Sequence, residues 1–449
     1  MKVAFYTLGC KLNYSETSTI ASQFVEAGHS VVAFGDDADC LIINTCTVTE
    51  NADTEARKVI RRTLKKSPNA FIGVTGCYAQ LQPEEIASID GVDAVFGTKE
   101  KFEILNTISS FEKTETPKVF VSDEEEITEF NESFSFEADS RTRAFLKIQD
   151  GCNYNCSFCT IPLARGASRS MPFDQIIPRI KEIEKSGYNE IVLTGINLGD
   201  YSFEQYRFVD VIRRIETSDV QSRFRISSIE PNLLTKEIVD IVLSSSKFCQ
   251  HFHIPLQSGS SEILGKMRRR YKVQNYHDLI WRIKEKNADT CIGVDVIVGF
   301  PGETDQHFEE TFRFLEELPI SYLHVFTYSE RENTPAKEYD NPIPYAQRKQ
   351  RTARLRQLSE LKKNVFYTSQ LGLKKTVIPE KYDGENEIWN GYTENYVRVS
   401  FKAPNNIVQK PSVILLNSFD GNNVQSTIES IQQTNNRENI KEYIPILIS

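Results

Sequence analysis

The chain has no run of eighteen or so apolar residues, so no segment is built to cross a bilayer as a helix. Its beginning lacks the long apolar stretch and small-residue cleavage site of a secretory leader, because Lys2 passes straight into the strand-like run Val3–Leu8. Positive charge is in short supply. The 53 Lys and Arg against 62 Asp and Glu leave a formal charge of −9, which excludes binding nucleic acid over the whole surface but not over a local basic face. Cysteine is too sparse for a disulfide scaffold: nine in 449 residues, without export signals, point to metal binding or catalysis in a reducing compartment. A cytoplasmic, membrane-free protein is expected, and its length calls for several domains.

Patterning divides the chain into an α/β series, a connection, a second α/β series and a β module. In residues 1–112, the apolar runs Val3–Leu8, Cys40–Thr45 and Phe71–Thr75 read as strands. Helical patterns follow the first two: Ser15–Ala27, with Ile20, Phe24 and Val25 on one face, and Asn51–Lys65, with Ala52, Ala56, Val59 and Ile60. Short strands alternating with helices predict a parallel sheet with covered faces. Residues 113–143 lose this order and read as a linker, with four consecutive acids at Asp123–Glu126 and one strand at Lys118–Ser122. Phe130, Phe134 and Phe136 are expected to pack.

In residues 144–370, six strand candidates alternate with helices: Phe145–Gln149, Glu190–Leu193, Arg223–Ser227, His251–Pro255, Gly293–Val298 and Tyr322–Thr327. That repeat predicts a partial parallel barrel, with its chemistry in the loops after the strands. A long helix, Tyr345–Gln370, follows with Leu355, Leu358, Leu361 and Val365 as its apolar stripe. Residues 371–432 read as a small all-β module with strands Lys375–Pro379, Tyr396–Phe401 and Ser412–Leu416. Residues 433–449 are expected to fray.

Cys152, Cys156 and Cys159 form a C-x3-C-x2-C pattern directly after the first barrel strand. Structural zinc wants four protein ligands, and only three are local here, with His251 or His253 as distant candidates for a fourth. A [4Fe–4S] cube on three thiolates leaves one iron open, and an open iron accepts the amino and carboxylate groups of S-adenosylmethionine. Cys10, Cys46 and Cys77 are far apart in sequence, yet each follows one of the three N-terminal strands. Strand ends of a parallel sheet share one edge, so these thiolates are expected to gather around a second small inorganic body. The remaining cysteines, Cys40, Cys249 and Cys291, lack such placement and read as core residues.

The C-x3-C-x2-C run is the signature of the radical S-adenosylmethionine superfamily, and the whole chain resembles its methylthiotransferases. That resemblance is carried by Thr7-Leu-Gly-Cys-Lys-Leu-Asn13, Asn44-Thr-Cys46, Gly73-Val-Thr-Gly-Cys77, Gly151–Gly166, Leu193-Thr-Gly-Ile-Asn197, Gly293–Glu303 and Phe326–Arg331. The family has Gly before Thr334-Pro335 where this chain has Asn333, a residue that tolerates left-handed backbone. The resemblance implies two [4Fe–4S] clusters, the N-terminal one carrying sulfur and the second generating a radical from S-adenosylmethionine. It also implies an electron donor of flavodoxin or ferredoxin type. Thr194, Gly195, Asn197, Ser227, Ser228, Glu230, Gln257 and Asp295 are candidates for holding cofactor or base.

The stretch after Thr7 is similar to the branch acting on threonylcarbamoyladenosine beside the tRNA anticodon. Sibling branches act on isopentenyladenosine in tRNA or on a ribosomal-protein aspartate. A non-catalytic metal-containing RNA-binding protein is the alternative of a different class. The β module resembles the RNA-associated TRAM domain through Thr393–Val399, with Arg398 among its few cations. Lys266, Arg268, Arg269 and Arg270 make a denser basic cluster and are the expected contacts for phosphates of the anticodon stem-loop.

Overall fold

Strands Lys2–Thr7, Cys40–Thr45 and Phe71–Gly76 are buried along almost their whole length, as continuous apolar runs are when a parallel sheet is covered on both faces. The computed structural model describes all residues except 48–49, 135–141, 408–409, 433–445 and 449, with the backbone alone at Asn51 and Ile446–Ile448. Its N-terminal sheet runs in the order Ser30–Val32, Lys2–Thr7, Cys40–Thr45, Phe71–Gly76, Ala94–Phe96, Lys118–Phe120, all parallel. The strand expected within the linker is thus Lys118–Phe120, and it belongs to this sheet. Phe134 is buried and Phe130 partly so, while Phe136 lies outside the described residues. Most of the C-terminal tail also lies outside them. Its end does not fray: Ile446–Ile448 pairs with Phe5–Thr7, beside Ser30–Val32 on the same edge of the first strand. A backbone segment laid beside a free strand edge finds its hydrogen bonds there.

The central unit is a partial barrel of six parallel strands. Arg143–Lys147, Glu190–Thr194 and Arg223–Ile226 form one half; His251–His253, Cys291–Val298 and Tyr322–Thr327 form the other. Single bridges, Phe224 to Phe248 and Ser228 to His253, join the halves. Helices Ile176–Lys185, Phe208–Thr217, Lys236–Ser244, Val273–Lys286 and Asp305–Glu317 alternate with these strands.

The N-terminal unit covers the open side of this barrel. On the first-strand side, Phe145 and Val192 pack with Tyr14, Ile20, Phe24 and Phe96. On the last-strand side, Arg331 pairs with Asp53 at 2.6 Å, and the Glu50 backbone N–H donates to Ser329 Oγ at 3.1 Å.

The helix Tyr345–Ser369 runs along the last barrel strand and into the C-terminal module. Leu355 and Leu358 are buried as expected, but Leu361 and Val365 are 63% and 70% exposed. The stripe fails there because the helix changes partner: Phe366 and Tyr367 turn into the C-terminal core instead. The module is a closed barrel in the order Lys374–Asp383, Ile388–Thr393, Arg398–Lys402, Val424–Ile431, Ser412–Phe419. Two of its strands were not expected. Ile388–Thr393 carries an Asn-Gly pair that reads as a turn, and Val424–Ile431 is mostly polar. The module docks through guanidinium contacts, with Arg223 and Arg225 donating to the carbonyls of Thr376, Tyr392, Thr393 and Glu394.

Candidate active site

Register brings the first triad together. Thr7 pairs with Asn44 and Asn44 with Thr75, so the chain leaves three neighbouring strands at one level and reaches Cys10, Cys46 and Cys77 within three residues. Gly9 adopts φ +107°, and a Cβ built there would lie 2.6 Å from the Cys46 Cβ, so only glycine lets these loops close on each other. Cys10 is the N-cap of helix Lys11–Glu26, where the positive end of the helix dipole favours a thiolate. Asn13, in the first turn, ties the loops: its Nδ2 donates to the carbonyls of Leu8 and Thr45, and its Oδ1 accepts from Arg165 Nη2 at 2.7 Å.

The second triad follows the first barrel strand. The Cys152 N–H donates to the Gly166 carbonyl at 3.1 Å and the Cys159 N–H to that of Cys156 at 3.2 Å, winding the loop around its sulfurs. Tyr154 N–H donates to Cys152 Sγ at 3.4 Å, and Arg269 Nη1 to Cys156 Sγ at 3.0 Å. Burial pushes the thiols of Cys152 and Cys159 up to about 11 and about 12, and neighbouring Cys156 adds to both. Three such thiolates stay together only around a cationic body. A three-thiolate site with N–H donors on its sulfurs, and no fourth cysteine or histidine ligand beside it among the described residues, fits a [4Fe–4S] cluster with one open iron. Neither histidine completes a zinc site: His251 bonds Tyr322 Oη at 3.0 Å and His253 bonds Asp295 at 2.7 Å.

A buried ionic network links the two triads. Glu16 meets Lys101 at 2.7 Å, Arg165 at 2.8 Å and Lys147 at 3.5 Å, and all four side chains are essentially inaccessible. Asp150 meets Lys147 at 3.2 Å, Arg165 at 3.1 Å and Arg169 at 3.4 Å. Burial alone would raise the Glu16 carboxyl, but Arg165, Lys101 and Lys147 outweigh it and hold it down to about 2. Two carboxylates among four cations leave the network net positive. Arg165 acts on both Cys10 and Cys77, so this surplus faces the first triad and suits a net-negative cluster there. Sequence reasoning missed Glu16, Lys101, Lys147, Asp150 and Arg165, and among the cysteine-facing arginines it misread Arg269.

Two of the expected cofactor residues, Gln257 and Asp295, share one cavity. A cavity of about 270 Å³ is lined by Cys159, Gln257, Asp295, Ile297 and Phe326. Thr194 Oγ1, both amide atoms of Asn197 and Ser227 Oγ are buried without a hydrogen-bond partner among the described residues, as groups awaiting a polar ligand are. Gly195 is needed close against Gln149, whose Oε1 accepts from the Asn197 N–H at 2.8 Å; Gln149 is a positioning residue that the sequence did not flag. Ser228 bridges to His253 through the backbone, and Glu230 is occupied by Arg269.

The basic cluster separates into unlike residues. Arg269 is 4% exposed in its side chain and bound to Cys156 and Glu230, so it faces the cysteines and not solvent, against the expectation of a phosphate contact. The reason is the backbone: Arg268 sits at φ +58° and turns the chain, sending Arg269 inward. Arg268, Arg270 and Arg398 are exposed, Arg270 lying over the Tyr154 ring at 3.9 Å; Lys266 pairs with Glu262.

A model described as "Uncharacterized protein family UPF0004" matches residues 2–97, and the radical SAM superfamily model matches 146–315. The threonylcarbamoyladenosine tRNA methylthiotransferase MtaB of Bacillus subtilis is 40% identical over 414 residues, covering 91% of this chain and 92% of the relative. This chain belongs to the radical SAM methylthiotransferases. The methylthiotransferase of the same name from Aquifex aeolicus is 37% identical, over 89% of this chain and 96% of its own. The tRNA-2-methylthio-N(6)-dimethylallyladenosine synthase of Clostridium botulinum is 35% identical, over 75% and 76%. Among solved structures, the radical S-adenosylmethionine methyltransferase TsrM of Kitasatospora setae shares the fold, with a TM-score of 0.54 at 15% identity over 75% of each chain. As a radical SAM methylthiotransferase the protein uses S-adenosylmethionine and [4Fe–4S] clusters. No helix among the described residues is long and apolar enough to cross a membrane.

Proposed function

We propose that this methylthiotransferase inserts sulfur and a methyl group at a C–H of N6-threonylcarbamoyladenosine next to the tRNA anticodon, yielding the 2-methylthio derivative. The observation that carries this reading is the presence of two three-cysteine sets at strand ends, in a chain whose relatives of that activity align over about nine-tenths of its length. Cys152, Cys156 and Cys159 would hold the cluster that supplies the electron for cleaving S-adenosylmethionine, and Cys10, Cys46 and Cys77 would hold the one that supplies the sulfur.

The protein's part is placement. Arg269 donates to Cys156 and is itself fixed by Glu230, which stabilises negative charge on that side. Thr194, Gly195, Asn197 and Ser227 orient S-adenosylmethionine, with Gln257 and Asp295 on the opposite wall. Ile297 and the 44% exposed Phe326 give the base an apolar surface and keep water from the radical. Lys266, Arg268, Arg270 and Arg398 hold anticodon-stem phosphates. The enzyme works in the cytoplasm, with a flavodoxin- or ferredoxin-type donor supplying electrons.

Nucleoside mass spectrometry of tRNA from cells with and without the protein tests this. Loss of 2-methylthio-N6-threonylcarbamoyladenosine on deletion is expected. Loss of the 2-methylthio-dimethylallyl nucleoside instead would transfer the chain to the sibling reaction.

A further inference from the structure

Arg165 is the residue at which the surroundings of the two triads meet. It ends the short helix Ile161–Arg165 that follows Cys159, and its neighbour Gly166 accepts the Cys152 N–H at 3.1 Å, so its backbone belongs to the second-triad loop. Its side chain reaches the other triad. Nη2 donates to Asn13 Oδ1 at 2.7 Å, and Cys10 Sγ lies 3.8 Å from that same oxygen. Nη1 donates at 3.1 Å to Asp150 Oδ1, which also accepts the N–H of Gly151 at 2.8 Å, one residue before Cys152. One guanidinium therefore closes a hydrogen-bonded path from Cys10 through Asn13, Arg165 and Asp150 to the doorstep of Cys152.

The path governs more than Cys10. Asn13 Nδ2 donates to the carbonyls of Leu8 at 3.0 Å and Thr45 at 3.1 Å, in the loops that carry Cys10 and Cys46. An amide offers its oxygen to donors and its nitrogen to acceptors, so the Arg165 bond fixes which way Asn13 faces, and a flipped amide would set an oxygen against both carbonyls. Helix Ile161–Arg165 also packs against helix Cys77–Leu81, and Thr98 Oγ1 donates to the Ala164 carbonyl at 2.7 Å. All three loops of the first triad are thus held to one stretch of the second-triad loop. Arginine suits this task. Its side chain is 1% exposed, and its bonds to Glu16 Oε1 at 2.8 Å and Oε2 at 3.2 Å complete a set in which four of five N–H groups are taken. A planar fork holds those directions at once, which an ammonium on a flexible stem cannot.

We propose that Arg165 is a positioning residue that sets the spacing between the two triads, so that the radical made beside one and the sulfur held at the other reach the same nucleotide. This rests on the functional reading above. Capture of sulfur by the substrate radical competes with quenching, and a misplacement of about 1 Å costs about a hundredfold in such a step.

The test uses full-length, cluster-loaded enzyme as wild type, Arg165→Met and Arg165→Lys. With both clusters reduced, the spin–spin splitting of the electron resonance spectrum reads their spacing without RNA or S-adenosylmethionine. Wild type should give one sharp splitting, and both variants a smaller or smeared one at a full complement of about eight irons. Lysine keeps the positive charge and loses the fork, so a wild-type splitting in Arg165→Lys overturns the proposal. So does an unchanged splitting in Arg165→Met, or a wild type with no splitting at all. Should Arg165→Met lose iron, Arg165→Lys alone decides. With an anticodon stem-loop RNA bearing threonylcarbamoyladenosine, deoxyadenosine released per methylthio product should rise about tenfold to a hundredfold in the variants, and an unchanged ratio overturns the positioning role. A wild type that makes methylthio product only on a dimethylallyladenosine RNA removes the substrate reading alone, and the splittings still decide Arg165.

Discussion

Removing Glu16 is the sharpest perturbation of the framework that aligns the two triads. This carboxylate is fully inaccessible and contacts Lys101, Lys147 and Arg165, two of which come from the barrel while Glu16 itself comes from the N-terminal unit. Deleting one member of a buried ionic set costs about 3–5 kcal/mol, because the partners keep their desolvation penalty without their counter-charge. Glu16→Ala leaves Lys101 with no acid and makes Lys147 and Arg165 share Asp150. We expect a loss of about 3–5 kcal/mol in the union of the N-terminal unit with the barrel.

The assay is hydrogen exchange on anaerobically prepared enzyme, read at the amides of helix Lys11–Glu26 and strand Arg143–Lys147. Protection should fall by at least about a hundredfold there and much less in the closed C-terminal barrel. A cycle with Lys101→Met isolates the pair: the double variant should be more stable than the sum of the single losses allows. Unchanged protection in Glu16→Ala, or additive losses in the cycle, would refute the reasoning.

Other expectations follow from the same geometry. Glu16 also sets an acid dependence: its carboxyl is held down to about 2 against an ordinary value near 4.5, so its stabilisation is complete above about pH 4.5 and lost as pH falls towards 2. Urea titrations of Glu16→Gln between pH 6 and pH 3 should show a shallower decline than wild type. Replacing Cys152, Cys156 and Cys159 by Ala should abolish deoxyadenosine formation, whereas replacing Cys10, Cys46 and Cys77 should leave it intact under chemical reduction and stop methylthio product; product from the second variant would break the division of labour. Arg269→Ala should shift the reduction potential of the second-triad cluster downward, since a cation within hydrogen-bond reach of Cys156 Sγ is lost; an unchanged potential by redox-monitored electron resonance would contradict that contact. Arg268→Ala with Arg398→Ala should weaken tRNA binding and flatten its salt dependence, and an unchanged salt slope would exclude these two as phosphate contacts.

The two cysteine triads were readable because their positions are local facts. Cys152, Cys156 and Cys159 lie within one loop, and Cys10, Cys46 and Cys77 mark strand ends whose register the apolar runs already imply. Asn333 at φ +60° bears out the tolerance expected where the family has Gly. What supports the cysteines was not readable. Glu16 finds Lys147 and Arg165 across 131 and 149 residues, and no periodicity marks a charged residue that will be buried by a distant partner. A run of three arginines looks like one basic patch until the left-handed turn at Arg268 directs Arg269 to a cysteine sulfur. In the long helix, Leu361 and Val365 kept helical spacing past the point where the helix leaves the barrel wall, so the pattern outlasted its partner.

The most direct test of the central claim is iron and sulfide analysis with electron resonance on oxygen-free protein, wild type beside the two triple-cysteine variants. Two independent sites predict about eight irons and eight sulfides per wild-type chain, and about four of each in either variant, each keeping a different spectrum. A single cluster in the wild type, or loss of all iron when only Cys10, Cys46 and Cys77 are replaced, would contradict the account.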